Sequence, residues 1–293
     1  MFHHLHTILA LPLLLAPIST AEELHVPRDH ATINAAIKAA EDGDHVLIAP
    51  GTYVERLDTR GKAITIQGEQ GPETTIIDAS GQGRASAVTC RSSETARTRL
   101  INLSFTRGLG QMNIKRGEIM GGGAMVIDAS PTFIGCIFRD NFARYGSGGG
   151  IAITGGTPCF IDCRITGNSA QHIGGGLLAK ECSPLFLRCI FDGNTGENGG
   201  GAYLWHDCQP TFESCLFTNN EASLFGGGLY IWKSTPLLSA CRFNGNTAPE
   251  GAGICNLAGF PILIDSEFAP DQDIKHAQMH ALLEEAAVAP DNP

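Results

Sequence analysis

The stretch FDGNTGENGGGAYLWHDCQPTFESCLFTNN, residues 191–220, decides the fold. It opens on Phe191 and Asn194 and passes through a glycine cluster at Gly199, an apolar run, Pro210 and Cys215. It closes on Phe217 and Asn220, where the pattern starts again. Outward from this stretch the same order recurs in both directions. Glycine clusters begin at Gly121, Gly148, Gly174, Gly199, Gly226 and Gly251, in steps of 27, 26, 25, 27 and 25 residues. Four more columns keep register with them. Pro131, Pro158, Pro184, Pro210, Pro236 and Pro261 form the first, and Cys136, Cys163, Cys189, Cys215 and Cys241 the second, with Ser266 in the last coil. Phe138, Ile165, Phe191, Phe217, Phe243 and Phe268 form the third, and Asn141, Asn168, Asn194, Asn220 and Asn246 the fourth.

Each unit holds two or three short apolar runs divided by Gly, Pro or Asn, without helical periodicity. A unit that short cannot bury its own apolar face and must stack on its neighbours. The predicted fold is all-β: a single-stranded, right-handed parallel β-helix in which each strand pairs with its equivalent one coil along, about 4.8 Å away. Columns then become ladders. The Phe and Cys columns are expected to point inward. The Asn column is expected to mark a left-handed turn whose amides bond from coil to coil. A left-handed helix of hexapeptide repeats would need a shorter period and is rejected.

The solenoid is expected over residues 22–268. Thr32 to Ala40 puts Ile33, Ala36, Ile37 and Ala40 on one stripe, predicting an N-terminal cap helix over 32–40. Strand-like runs follow at His45–Ile48, Ala63–Gln67, Thr74–Ile77, Ser86–Cys90 and Leu100–Phe105. Residues 106–120, with Arg107, Lys115 and Arg116, are expected to leave the barrel as a side loop. Residues 269–293 read as a tail whose helix, Ile274–Ala287, would cover the C-terminal end with Met279, Leu282 and Leu283.

Residues 1–21 read as a signal peptide. Leu9–Ile18 is a short apolar run, Ser19 and Ala21 are small residues before a cut at Glu22, and His3, His4 and His6 stand where Lys or Arg is usual. A secreted or periplasmic location is the expectation. No later run is apolar and long enough for a transmembrane segment. A net charge of −10 argues against nucleic acid or an anionic membrane as partner, since both demand a basic face.

The runs FRDN (138–141), FDGN (191–194), FTNN (217–220) and FNGN (243–246), each followed by a glycine cluster, resemble the polymorphic outer-membrane protein repeat. That resemblance implies a β-helical passenger-type domain, a setting that includes surface adhesins. TINAAIKAAEDGDHVLIAPGTYVE (32–55) resembles the opening of the pectin-lyase-like superfamily, which includes pectinesterases. The implied context is polysaccharide. The polygalacturonase, pectinesterase and pectate-lyase runs that carry catalysis in that superfamily do not occur here, so no catalytic residue, cofactor or metal site is assigned.

The ten cysteines have no CxxC or Cys–His spacing suited to zinc. Column cysteines are expected to be reduced and to pack as small hydrophobes, whereas Cys182 and Cys208, each two residues before a coil's Pro, could bridge neighbouring turns. Asp162 with Arg188, and Arg242 with Glu267, share columns one coil apart and read as structural ion pairs. His172 reads as a solvated turn residue.

Strand alternation supplies the one candidate binding face. Leu177, Ala202, Leu204, Leu229 and Ile231 are expected inward, which turns Tyr203, Trp205, Tyr230 and Trp232 outward as a two-by-two aromatic patch. Glu181, His206 and Lys233 share the next column, with Asp207 beside them. Such a platform suits stacking on sugar rings, so the expected partner is a polysaccharide or cell-surface glycan. Other readings are a cover over the patch by the C-terminal helix or a subunit, and a lyase or hydrolase using Glu181 and Asp207. A purely structural or adhesive surface protein is the remaining one.

Overall fold

The computed structural model describes residues 20–81, 83–113, 118–144 and 146–277, and it is a right-handed parallel β-solenoid. Nine coils contribute three short strands each to three lengthwise sheets, and the opening turn contributes one strand and the cap helix. The first sheet has ten strands, from Glu23–Val26 to Ile262–Ile264. The second has nine, from Gly51–Tyr53 to Glu267–Phe268. The third also has nine, from Leu57–Asp58 to Ile274–Ala277. Among the described residues, no helix is long and apolar enough to cross a membrane.

Column residues meet as predicted, because equivalent positions in adjacent parallel strands are hydrogen-bonded neighbours. Phe191 stacks on Phe217 at 4.7 Å, Phe217 on Phe243 at 4.8 Å, and Phe243 on Phe268 at 4.7 Å. A second ladder, two residues after each Pro, runs through Phe133, Phe160, Phe186 and Phe212 with centroids 4.8–5.0 Å apart. The two ladders meet edge to face, as at Phe186–Phe191 (5.5 Å, 65°). This offset and T-shaped geometry suits the ring quadrupole. The column thiols lie inside the same core and donate across to carbonyls, Cys189 to Phe160 at 3.4 Å and Cys241 to Phe212 at 3.4 Å. Ser266 makes the equivalent bond to Leu238 at 3.2 Å, which explains the one exchange in that column.

The asparagines form a buried amide ladder. In each rung one side-chain Nδ2 donates both to the next Asn Oδ1 and to a carbonyl: Asn194 reaches Asn220 at 2.9 Å and Ile165 at 2.8 Å. Gln272 ends the ladder by accepting from Asn246 at 2.8 Å. One part of the expectation is corrected. The left-handed residue is not the Asn but the one before it: Asp140, Gly167, Gly193, Asn219 and Gly245 have φ between 53° and 62°. The Asn must turn its side chain inward to reach the ladder, so the preceding position absorbs the reversal.

The cap helix spans Ile33–Ala39, with Thr32 as N-cap accepting from the Ala35 N–H at 3.1 Å. Glu55 accepts from the Ile33 and Asn34 N–H groups, and Lys62 donates to the Ile37 and Lys38 carbonyls. Both helix ends are thus satisfied by opposite charges.

Two boundary expectations change. Ile274–Ala277 is a strand, not the start of a helix, because the edge of Ile254–Leu257 offers it a full parallel ladder. Inter-strand bonds outweigh local helical periodicity there, and the solenoid extends past 268. The 106–120 insertion is more than a loop. Gln111–Asn113 and Glu118–Met120 pair antiparallel, and the second of these strands joins Gly146–Ser147. Arg107 anchors its base through a 2.8 Å contact to Asp78. Lys115 and Arg116, residues 1–19 of the expected signal peptide, and the expected Met279–Leu283 stripe lie outside the described residues.

Candidate functional site

The third sheet carries the outward aromatics on Ala202–Trp205 and Leu229–Trp232, which pair Tyr203 with Tyr230 and Trp205 with Trp232. Alternation holds: Ala202, Leu204, Leu229 and Ile231 belong to the interior cluster, and the four aromatics lie outside it. Tyr203 and Tyr230 stack at 4.8 Å, and the two indoles stack at 5.7 Å with 16° between planes.

The expected open two-by-two patch is corrected. Tyr203 and Tyr230 are only 5% and 6% exposed, and the two indoles are half-buried. The chain between each Asn and the next glycine cluster folds back over this face. Ile173 and Phe225 from that segment, with buried Met120, close a second apolar cluster around the tyrosines. Burial pushes both phenols up from their ordinary range, and no tyrosinate forms near neutral pH.

The ladder also uses up the ring faces. Trp205 has Trp232 stacked on it, and the Lys180 ammonium, its register partner in the preceding coil, lies 4.2 Å from its ring centre. Trp232 is further approached by His206 at 4.9 Å and by the Lys233 ammonium at 5.8 Å. Residues in register along a β-solenoid turn their planes toward one another, so the outside meets indole edges rather than faces.

The polar neighbours are exposed. Glu181, Asp207 and Lys233 lie at the surface, with His206 half-buried. All four have φ between 48° and 51°. In these three consecutive coils the corner, where the third sheet turns into the first, therefore throws out one polar side chain each, and two where the extra residue Asp207 is inserted, whereas Gly155 and Ala258 hold the position in the coils on either side. His206 and Asp207 donate their backbone N–H groups to the Trp232 and Lys233 carbonyls at 3.0 and 2.9 Å, which fixes the corner to the next coil. Cys182 and Cys208 lie just inside it, sulfur to sulfur at 3.8 Å.

A feature that sequence reasoning missed lies on the fold-back segments. Phe142–Ala143, Ser169–Ala170, Thr195–Asn198 and Glu221–Phe225 form a fourth, short parallel sheet. Beside it is an open groove of about 330 Å³ lined by Gln171, Thr195, Glu197, Glu221 and Ser223. Its signal in the sequence was a column of small residues two places after each Asn, namely Ala143, Ala170, Gly196, Ala222 and Ala248. The expected ion pairs are present: Arg188 holds Asp162 through two bonds of 2.7 and 2.8 Å, and Arg242 holds Glu267 at 2.9 Å. Arg188 is the main cause that keeps the Asp162 carboxyl below its usual range. His172 is exposed, 3.7 Å from Glu197. Among the described residues, no group of three or more His, Cys, Asp or Glu is placed to hold a metal ion.

Comparison with curated proteins returned no match. Among solved structures, a pectin methylesterase from carrot aligns with a TM-score of 0.47 at 11% identity, covering 91% of each chain. Pectin methylesterase PemA from Erwinia chrysanthemi aligns at 0.47 and 11%, covering 94% of this chain and 96% of that one. The pectin methylesterase of Aspergillus niger aligns at 0.38 and 13%, over 90% of each. The family model described as the right handed beta helix region matches residues 63–267, and with the ladders seen here the chain belongs to that family.

Proposed function

We propose that this β-helix binds an extended polysaccharide or surface glycan along the corner between its third and first sheets. One observation supports the reading: a row of hydrogen-bonding groups, exposed Glu181, Asp207 and Lys233 with half-buried His206, runs parallel to the axis beside half-buried indole edges. A linear polymer offers hydroxyl groups at regular intervals, and a solenoid offers matched partners once per coil. Because the ring faces are occupied, the sugars would engage the polar row through hydrogen bonds and meet the indoles at their edges. Export to a place where such a glycan occurs is part of the same proposal.

The test is retention on immobilised pectin, alginate and glycosaminoglycan. Wild-type protein is expected to be retarded on at least one matrix. The pair Glu181→Ala/Lys233→Ala should weaken that retention roughly tenfold, equivalent to loss of one or two hydrogen bonds to charged groups. Trp205→Ala/Trp232→Ala should weaken it less, because only edges are presented. Retention unchanged in both folded variants, checked by circular dichroism, would reject the site.

A further inference from the structure

We infer that Cys182 and Cys208 are a dedicated redox pair, which closes into a disulfide joining two neighbouring coils when the protein meets a disulfide oxidant. The two sulfurs are 3.8 Å apart in the reduced protein, both in buried side chains. The coils are tied in register at this point, since Gln209 donates to the Cys182 carbonyl at 3.0 Å. Parallel neighbours about 4.8 Å apart fall inside the Cα range that a disulfide spans. The cysteines occupy a turn rather than a strand, so a side-chain rotation can bring the sulfurs to bonding distance.

Pairing at this corner is unambiguous. The equivalent positions two residues before each Pro are Ala129, Gly156, Ser234 and Gly259, so no third thiol competes. The interior column differs. Cys163, Cys189, Cys215 and Cys241 each contact a carbonyl across the core, as Cys208 contacts that of Trp205, but the middle members are flanked by equivalent thiols on both sides, so no single pairing is selected there. The geometry therefore singles out Cys182 and Cys208 as a pair with one possible partner each, distinct from the interior column. In the reaction, one thiolate of the pair attacks the disulfide of oxidised glutathione, forming a mixed disulfide and releasing one glutathione thiolate. The second thiolate then attacks the mixed disulfide and releases the other. The two thiol protons leave to solvent, and the two electrons reduce the glutathione disulfide.

The location gives the bond a consequence. Cys208 sulfur contacts the Trp205 carbonyl at 3.6 Å, and the Glu181 N–H points at the Trp205 and His206 carbonyls. A disulfide here would fasten the corner that carries Glu181, Trp205 and His206, whatever that corner binds.

The test is to treat the full chain with oxidised glutathione, denature it, alkylate the free thiols, and digest with trypsin and a glutamate-specific protease. These cuts leave Cys182 on residues 182–188, Cys189 on 189–197, Cys208 on 198–213 and Cys215 on 214–221. Mass spectrometry is expected to find 182–188 linked to 198–213, two hydrogens lighter than the sum, with 189–197 and 214–221 alkylated. The oxidised protein should also melt roughly 5–10 °C above the reduced form. Cys208→Ser should abolish both the link and the melting difference, whereas Cys215→Ser should keep them. Recovery of 182–188 and 198–213 in alkylated form after oxidation, or cross-linking confined to the interior column, would overturn the inference. Peptide mapping of the wild-type chain decides this even where a variant fails to fold.

Discussion

Asn194→Ala is expected to lower the free energy of unfolding by about 3–5 kcal/mol, seen as a drop in the urea midpoint with little change in slope. Asn194 is fully buried, and its amide closes four contacts at once. Its Oδ1 accepts from both the backbone N–H and the Nδ2 of Asn168 at 3.0 Å, while its Nδ2 donates to Ile165 and Asn220. Alanine leaves two Asn168 donors without an acceptor and takes one donor from the Ile165 carbonyl, all out of reach of water. Each orphaned buried group costs about 1–3 kcal/mol, and the losses are shared within one network rather than summed. Asn194→Asp tests the same logic from the other side. It keeps the acceptor oxygen but turns a second oxygen toward the Ile165 carbonyl and Asn220 Oδ1, so it should destabilise at neutral pH at least as much as alanine. A stability within about 0.5 kcal/mol of wild type for Asn194→Ala would show that the ladder is incidental to the stack.

How much of this was legible in the sequence depends on whether a feature repeats once per coil. Phe191 and Phe217, or Asn194 and Asn220, are neighbours in space because they are equivalent in register, so spacing alone located those ladders and both ion pairs, while the second phenylalanine ladder through Phe133, Phe160, Phe186 and Phe212 went unread. The inward and outward assignment of Ala202 through Trp205 followed from strand alternation in the same way. The depth of Tyr203 and Tyr230 did not. It depends on where Ile173 and Phe225 come to rest, and they belong to segments of uneven length between Asn and glycine, whose path no column fixes. The left-handed residue before each Asn was missed because Asp, Gly and Asn all serve there, so the position shows no single letter. The strand at Ile274–Ala277 was read as helix because its residues suit both states locally, and the deciding partner, Ile254–Leu257, lies a full coil away.

The glycine clusters were legible as corners, and the structure shows why no other residue serves. Gly174 has φ of 68°, and a Cβ there would lie 2.3 Å from the Leu177 carbonyl oxygen. At Gly175 it would lie 2.3 Å from that of Thr195. Both obstacles are backbone, which cannot rotate away as a side chain can. The backbones at this corner therefore approach this closely only where the chain has no side chain, which lets Ile173 and Phe225 reach the second apolar cluster outside the barrel.

Phe191→Ala should destabilise by a comparable amount, about 3–5 kcal/mol, through lost burial and the cavity left between coils. Phe191 is fully buried, stacked on Phe217 at 4.7 Å and held edge-on by Phe186 and Phe212 at 5.5 and 6.0 Å. The neighbouring rings are pinned by their own strands and cannot collapse into the space. Phe191→Leu should cost much less, about 1–2 kcal/mol, because the interior already accepts Ile165 one rung away and Leu238 at the end of the sister ladder. Position along the stack adds a second discriminating comparison. Coils of a solenoid stabilise one another through nearest-neighbour interfaces, so a cavity in the middle weakens two interfaces. Phe268 has a ring neighbour on one side only, in Phe243, and is itself half-exposed. Phe268→Ala should therefore cost less than half of what Phe191→Ala costs. Hydrogen exchange should place the loss of protection in the flanking strands Ile165 and Phe217 for the first variant and in the last coil alone for the second. Equal losses at the two positions would mean that the coils do not act as a stack of paired interfaces.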